Sequence, residues 1–157
     1  MDAIVLLKED HKTVAGLFRQ FEQAKDGTPA AKKKIVDKII KELTVHAYIE
    51  EKYFYPAARE AVPDTEDHVL ESVEEHHVVV WMLSELAALS PKDEHYDPKV
   101  RVLIENVRHH VKEEEQDWFP KVRAAMGRKT LGELGEVMAA AKADAPADPL
   151  ALSSALV

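Results

Sequence analysis

The chain has 157 residues, a net charge of −8 and no cysteine, and its length suits one domain with a substantial core. The absence of cysteine excludes disulfide bridges, thiolate zinc sites, iron–sulfur clusters and a cysteine nucleophile. The negative charge argues against general binding to nucleic acid or to an anionic membrane. Because no apolar run approaches the ~18–20 residues of a transmembrane span and no signal peptide is recognisable, we expect a cytoplasmic protein, and we expect it to be a monomer.

Helix breakers divide the chain into four long segments, at about 2–25, 29–61, 65–90 and 98–126. Each segment carries apolar residues at steps of three and four, which is typical of an amphipathic helix. Thr28 followed by Pro29 is a typical helix start, and Gly127 is a typical helix stop. Because the connections are short, the sequence predicts an all-α fold, an up-down-up-down antiparallel four-helix bundle over residues 1–126.

The remaining residues predict less structure. A capping-box pattern runs from Thr130 to Glu133 and indicates a short C-terminal helix within residues 127–143. Pro146 and Pro149 follow, so we expect the tail, residues 144–157, to be disordered.

Six polar residues lie on the inward seam of the four predicted helices, where a core helix normally carries apolar side chains. An unpartnered buried imidazole or carboxylate costs several kcal/mol, so six of them would exceed the ~5–15 kcal/mol stability of a typical domain. A bound cation would compensate directly. The six residues are His11, His46, Glu50, His76, His110 and Glu114.

These residues form a pattern that occurs twice. In each half of the chain, one histidine is followed after 35 or 34 residues by a second histidine, which has a glutamate four residues later and a proline ten residues later. Side chains four residues apart lie one helical turn, about 5.4 Å, from each other, so the histidine can bind one metal while the glutamate reaches a second. The pattern predicts a dinuclear site, and imidazole with carboxylate suits iron among the first-row metals.

Four stretches of the chain, EDHKTVAGLF, HAYIEEKYFYP, EEHHVVVWML and HVKEEEQDWFP, resemble the hemerythrin-like, or HHE cation-binding, domain family in its stand-alone bacterial form. The resemblance covers residues 2–126. It implies a four-helix bundle that holds a non-haem diiron centre with an oxo or hydroxo bridge. The ligand roles that it implies are His11 and His46 at one iron, His76 and His110 at the other, and Glu50 and Glu114 as bridges.

The sequence departs from the oxygen-carrying branch of that family at Val80, where the carrier has a further histidine. With two histidines for each iron, we do not expect reversible oxygen transport. The seam continues from Glu50 to Tyr53, and we predict that the Tyr53 phenolate completes the ligand set of the His76–His110 iron. The alternative is that Tyr53 is an ordinary packing residue.

Three further residues are assigned to the surroundings of the site. Asp117 occupies the position that matches Tyr53, and we predict that it accepts a hydrogen bond from a ligand histidine, the alternative being an exposed helix residue. Trp81 and Trp118 are expected to close the core around the site. A shift of one residue would exchange His76 for His77, or His110 for His109, so both registers stay open.

The resemblance implies a protein that reacts with a small diatomic or peroxide ligand. The first hypothesis is an enzyme that consumes nitric oxide or decomposes hydrogen peroxide, as a catalase does. The second is a protein that binds, senses or stores oxygen, nitric oxide or iron without turnover, and the third is a plain helical bundle. Val80 favours the first hypothesis over oxygen carriage, whereas both nitric oxide and peroxide need only an accessible iron.

Overall fold

The computed structural model describes residues 1–24 and 26–156, which are largely helical and contain no β-strand. Two of the four long segments pass through a short π-helical turn before they continue as α-helix. The elements are α1 (Ala3–Gln23), α2 (Pro29–Ile49), a first π turn (Glu50–Phe54), α3 (Tyr55–Ala61), α4 (Glu66–Ala88), α5 (Tyr96–Glu113), a second π turn (Glu114–Trp118), α6 (Phe119–Ala141) and α7 (Leu152–Ala155).

The helix starts follow the capping chemistry of the sequence. The Asp2 carboxylate accepts a hydrogen bond from the Val5 backbone N–H at 2.9 Å. The Thr28 hydroxyl accepts one from the Ala31 N–H at 3.2 Å, and Pro29 takes the first position of α2. The predicted start of the second segment is therefore confirmed.

Contacts between side chains give the directions of the helices. Lys99 on α5 lies 3.2 Å from Glu85 on α4, and His110, further along α5, lies 2.8 Å from Glu75, which comes earlier on α4. These two helices therefore run antiparallel.

The first and last long segments are related in the same way. Arg108 on α5 donates to Glu22 near the end of α1 at 2.7 Å, whereas Glu115, just beyond α5, lies 2.8 Å from His11 in the middle of α1. These two segments therefore run antiparallel as well. The predicted all-α bundle is confirmed.

The core consists of two apolar clusters, one toward each end of the bundle. One cluster contains the start of α1, both π turns and α6, with Leu7 and Phe54 fully buried. The other contains the end of α1, the middle of α2, the end of α4 and much of α5, with Ile39 and Leu103 fully buried. The polar seam residues fall between the two clusters in every long helix.

The chain after the bundle is more ordered than the sequence predicted. Gly127 has φ +79 and kinks α6, which then continues to Ala141. The tail, expected to be disordered, forms 3₁₀ turns at residues 142–144 and 149–151 and the short α7. This expectation is corrected because Pro149 and Leu152 are buried, and Leu152 joins the cluster that contains α6.

Two glycines of α6 provide a matched test of how closely this helix packs on the N-terminus. A Cβ at Gly135 would lie 2.7 Å from the Ala3 backbone nitrogen, whereas a Cβ at Gly132 would meet nothing within 4 Å. Gly135→Ala should therefore lower the free energy of unfolding by about 1–3 kcal/mol. Gly132→Ala should raise it by about 0.5–1 kcal/mol, because alanine is the better helix former.

Urea titration of both variants measures this difference. Equal stability of the two variants would contradict the close packing of α6 against the first residues of α1.

Candidate metal centre

The six seam residues meet in one layer between the two apolar clusters, and all six are buried. They form two triads, and in each triad the three candidate ligand atoms lie within 4.8 Å of one another. The triads are His11, His46 and Glu114, and Glu50, His76 and His110.

Each glutamate lies between the two halves of the bundle. Glu50 Oε1 is 2.9 Å from His46 Nε2 and 3.4 Å from His76 Nε2. Glu114 Oε1 is 3.3 Å from His110 Nε2 and 3.5 Å from His11 Nε2. Each carboxylate therefore reaches one histidine from the first helical hairpin and one from the second.

Several of these buried atoms make no well-aligned hydrogen bond, although histidine nitrogens and carboxylate oxygens lie within 3.5 Å of each other. They are His11 Nε2, both carboxylate oxygens of Glu50, and Glu114 Oε1. Polar atoms without partners are rare in protein interiors and costly. A cation would satisfy all of these atoms, because imidazole nitrogen and carboxylate oxygen are good ligands for divalent and trivalent first-row metals. The residues of this layer thus fit a metal site.

A second set of carboxylates lies behind the histidines. Each histidine has one acidic side chain on its Nδ1, which leaves Nε2 for the centre of the layer. Such outer partners orient metal-binding histidines and raise their basicity. The Nδ1 contacts are Glu115 to His11 at 2.8 Å, Asp10 to His46 at 3.0 Å, Glu51 to His76 at 3.3 Å and Glu75 to His110 at 2.8 Å.

Sequence reasoning missed these four acidic residues, although each of them is the immediate neighbour of a seam residue. The repeated pairs Asp10-His11 and Glu75-His76 carried the signal. The outer partner that the sequence predicted, Asp117, is exposed. One outer carboxylate has an additional contact, because Lys142 donates to Asp10 Oδ1 at 2.6 Å from the chain beyond α6.

The tyrosine that reaches the layer is Tyr55, and the prediction of Tyr53 is corrected. The Tyr55 hydroxyl donates to Glu114 Oε2 at 3.2 Å and lies 3.2 Å from His76 Nε2 and 3.4 Å from His110 Nε2. Tyr53 is partly buried, and its ring packs edge-on against Tyr48 at 6.4 Å.

The π turns explain this correction. The Tyr55 N–H bonds to the Glu50 carbonyl, five residues back, and the Phe119 N–H bonds to the Glu114 carbonyl in the same way. A π turn inserts one residue into the helix, so extrapolation at steps of three or four selects the wrong side chain. The same insertion turns Asp117 outward and brings Phe119 onto His11, with ring centroids 6.0 Å apart and nearly parallel planes.

Of the two tryptophans expected to close the core around the site, one is buried and the other is exposed. Trp118 is buried, with its ring 5.6 Å from the ring of Tyr55. Trp81 is 63% exposed, so its expected place in the core is corrected, because the inward face of α4 carries Leu83 instead. His77 and His109 lie outside the layer, with side chains 58% and 71% exposed.

Neighbouring carboxylates shift the pKa values of two histidines in the layer. Burial alone would lower the pKa of His46, but Glu50 and Asp10 together raise it to about 10. In the same way burial would lower the pKa of His110, and the carboxylates around it, Glu114 first among them, raise it to about 10. Both histidines therefore hold a proton near pH 7, which a binding cation must displace. Burial raises the pKa of Tyr55 well above its usual value, and Glu114 raises it further, so its hydroxyl stays protonated until a bound cation displaces the proton.

A pocket of about 190 Å³ leads to the layer, and all four seam histidines line it. Its walls are mostly valine, and Val80, at the position where the carrier has a histidine, is one of them. Its exposed lining residues, Val78, Asn106 and His109, lie on α4 and α5. The pocket therefore opens between these two helices.

The fold and the site define a helical-bundle protein with two buried histidine–glutamate clusters that suit metal ions. Residues 2–122 match the hemerythrin HHE cation-binding domain. The chain belongs to this family. In the described part of the chain, no helix is both long enough and apolar enough to cross a membrane.

Several relatives support the assignment. A crystal structure of a hemerythrin HHE cation-binding domain-containing protein from Mycobacterium kansasii, a homologue of Rv2633c, superposes with a TM-score of 0.78 at 27% identity, covering 99% of this chain and 97% of that one. The uncharacterized protein Rv2633c of Mycobacterium tuberculosis is 30% identical over 142 residues, which are 89% of this chain and 84% of that protein. A protein of Nostoc sp. named DNA nickase is 28% identical over 137 residues, and this chain covers 87% of its own length but 38% of the length of that relative.

Two aspartate substitutions test whether the outer carboxylates support metal binding. Asp10→Asn removes the charged partner of His46 and should weaken metal binding by roughly 10–100-fold, as loss of such partners does in other metal sites. Asp117→Asn, at the exposed position, should leave the affinity unchanged. Titration of the two variants with Fe²⁺ under anaerobic conditions measures the difference.

An unchanged affinity in Asp10→Asn would mean that the contact with His46 does not support metal binding. A loss in Asp117→Asn would restore the outer role that the sequence predicted for that residue.

Proposed function

We propose that the layer holds two iron ions with an oxo or hydroxo bridge. His11 and His46 would bind one iron, and His76 and His110 the other. Glu50 and Glu114 would bridge the two ions. The observation that carries this proposal is the position of the two buried carboxylates, each within reach of a histidine from both hairpins and each with oxygens that lack hydrogen bonds.

We propose that Tyr55, and not Tyr53, supplies the phenolate ligand of the His76–His110 iron. Its hydroxyl lies beside His76 and His110, whereas the matching position near His11 is Phe119, which carries no oxygen. The phenol oxygen therefore serves the His76–His110 iron alone. This difference makes the two metal positions chemically distinct.

The function that this arrangement supports best is decomposition of hydrogen peroxide. Bound iron would supply one-electron redox steps between its ferrous and ferric states. The protein contributes four histidines whose basicity is raised by carboxylates on Nδ1, which favours the ferric state. Conversion of two hydrogen peroxide molecules to two waters and dioxygen needs no external reductant.

Consumption of nitric oxide is the second candidate, because the valine walls of the pocket favour an uncharged, weakly polar ligand. Val80 in the pocket wall also argues against an oxygen carrier. The alternative is that the protein binds oxygen, nitric oxide or iron without turnover. Evolution of dioxygen from hydrogen peroxide would exclude this alternative.

Metal analysis and peroxide assays test the proposal together. Protein isolated with iron available should contain about two irons per chain, should evolve dioxygen from hydrogen peroxide, and should melt at a higher temperature than the chelator-treated protein. Replacement of both His46 and His110 by alanine should abolish iron binding and dioxygen evolution. The matched control replaces two exposed histidines that do not line the pocket, His77 and His95, and should leave both properties intact.

Iron retention in the His46/His110 double variant would contradict the proposed ligands. Two irons without dioxygen evolution would contradict the peroxide reaction but not the site, and anaerobic titration with nitric oxide would then test the second candidate.

The two tyrosines give a separate spectroscopic test. If the Tyr55 oxygen binds ferric iron, the resting protein should show a visible phenolate-to-iron charge-transfer band. Tyr55→Phe should remove this band while keeping the ring and most of the iron, and Tyr53→Phe should keep the band. If the band persists in Tyr55→Phe, or disappears in Tyr53→Phe, the phenolate does not come from Tyr55.

A further inference from the structure

We propose that the pocket above the histidine layer binds the hydrocarbon part of a small organic hydroperoxide, so that the substrates of this protein include alkyl hydroperoxides as well as hydrogen peroxide. This inference rests on the proposed peroxide chemistry and specifies its substrate class. It is carried by the composition and size of the pocket.

The pocket is far more apolar than hydrogen peroxide needs. Aliphatic side chains from all four long helices form its walls, while its polar groups lie at the floor and at the mouth. The aliphatic lining residues are Val14, Leu43, Ala47, Val78, Val79, Val80, Val107 and Val111. A hydrogen-bonding ligand of two oxygen atoms gains nothing from such walls, whereas each methyl or methylene group that they bury contributes about 0.8 kcal/mol.

The volume sets the size of the ligand. An engineered apolar cavity of about 150 Å³ in another protein takes up benzene, and this pocket measures about 190 Å³. Drug-sized ligands need pockets of at least ~300 Å³. A branched alkyl group of about four to six carbons therefore fits, and a long fatty chain does not fit inside.

The two ends of the pocket orient such a molecule. The floor consists of His11, His46, His76 and His110. The nitrogens of these histidines would hold the proposed irons, so the polar peroxide oxygens would lie at this end. At the open end Val78 is 55% exposed, so the alkyl group can enter between α4 and α5. The molecule would then lie with its oxygen–oxygen bond at the floor and its carbon atoms against the valines.

The reaction balances with the reduced site as the reductant. One hydroperoxide, ROOH, takes two electrons and two protons, its oxygen–oxygen bond breaks, and one alcohol, ROH, and one water form. The two electrons come from oxidation of two ferrous ions to ferric ions. One reduced protein molecule therefore consumes one hydroperoxide, and an added reductant is needed only for a second turnover.

Stopped-flow single-turnover kinetics test the proposal with the reduced, iron-loaded protein. With tert-butyl hydroperoxide, the rate of oxidation should saturate with concentration, because the alkyl group binds in the pocket before the reaction, and one equivalent should complete it. A second measurement is independent of activity: protein loaded with redox-inert Zn²⁺ should bind benzene with a stoichiometry of one, detected by changes in NMR chemical shifts of the pocket valines.

Two valine substitutions distinguish an effect on the pocket from a general effect of a larger side chain on the protein. Val79→Phe fills the half-buried wall and should lower the rate constant for tert-butyl hydroperoxide on the order of tenfold or more, a typical effect of changing the fit of a hydrophobic pocket. The ratio of the rate constant for tert-butyl hydroperoxide to the rate constant for hydrogen peroxide should therefore fall, and benzene binding should be lost. Val102→Phe makes the same change at a residue of α5 that is 49% exposed and is not among the lining residues, so it should alter neither property.

The outcomes distinguish this inference from the proposed function. If the wild-type protein decomposes hydrogen peroxide but neither reacts with tert-butyl hydroperoxide nor binds benzene, the substrate class is wrong and the peroxide function stands. If neither peroxide reacts, the proposed function fails first. An equal loss of both rates in Val79→Phe would overturn the role of the pocket. Should that variant not fold, failure of the zinc-loaded wild-type protein to bind benzene would overturn it as well.

Discussion

The burial of Glu50 and Glu114 in the middle of the bundle is the constraint on which the rest of this structure depends. Two carboxylates in a protein interior are tolerated only when positive charge and ligands surround them. Here each lies within 3.5 Å of histidines from both hairpins. The four histidines, the four outer carboxylates and the pocket are arranged around this pair.

The polar layer also explains why the apolar core is divided. A continuous core would leave no room for six polar side chains, so one apolar cluster forms toward each end of the bundle and the layer lies between them. Each cluster buries large side chains completely, among them Phe18 in one cluster and Phe54 in the other. Apolar packing in the two clusters fixes the positions of the helices. It therefore holds the candidate ligand atoms close together.

The layer has an approximate twofold pattern that is broken at two places. The outer carboxylates follow the pattern, since Asp10 and Glu75 each contact a histidine within their own hairpin, and Glu51 and Glu115 each contact one across hairpins. Tyr55 faces one histidine pair, whereas Phe119 stacks near the other. Lys142 contacts Asp10 at 2.6 Å, and the corresponding Glu75 side chain is 37% exposed. The two histidine–glutamate triads therefore differ in the hydroxyl group beside them and in their electrostatic environment.

The sequence by itself determined the four helical segments and the repeated histidine–glutamate pattern, because both follow from local chemistry. The choice of His76 over His77 and of His110 over His109 needed the structure, which places His77 and His109 on exposed faces. The steps of three and four, the Thr28-Pro29 start and the repeated histidine–glutamate spacing each lie within one helix. Only the tertiary structure decided which tyrosine reaches the layer. The π turns that begin at Glu50 and Glu114 shift the register by one residue, and extrapolation at steps of three or four does not include such a shift. The contacts of the outer carboxylates were decided in the same way, because an acidic residue on one helix finds its histidine on another only after the helices have packed. The same holds for the contact of Lys142 with Asp10, which joins residues 132 positions apart in the chain.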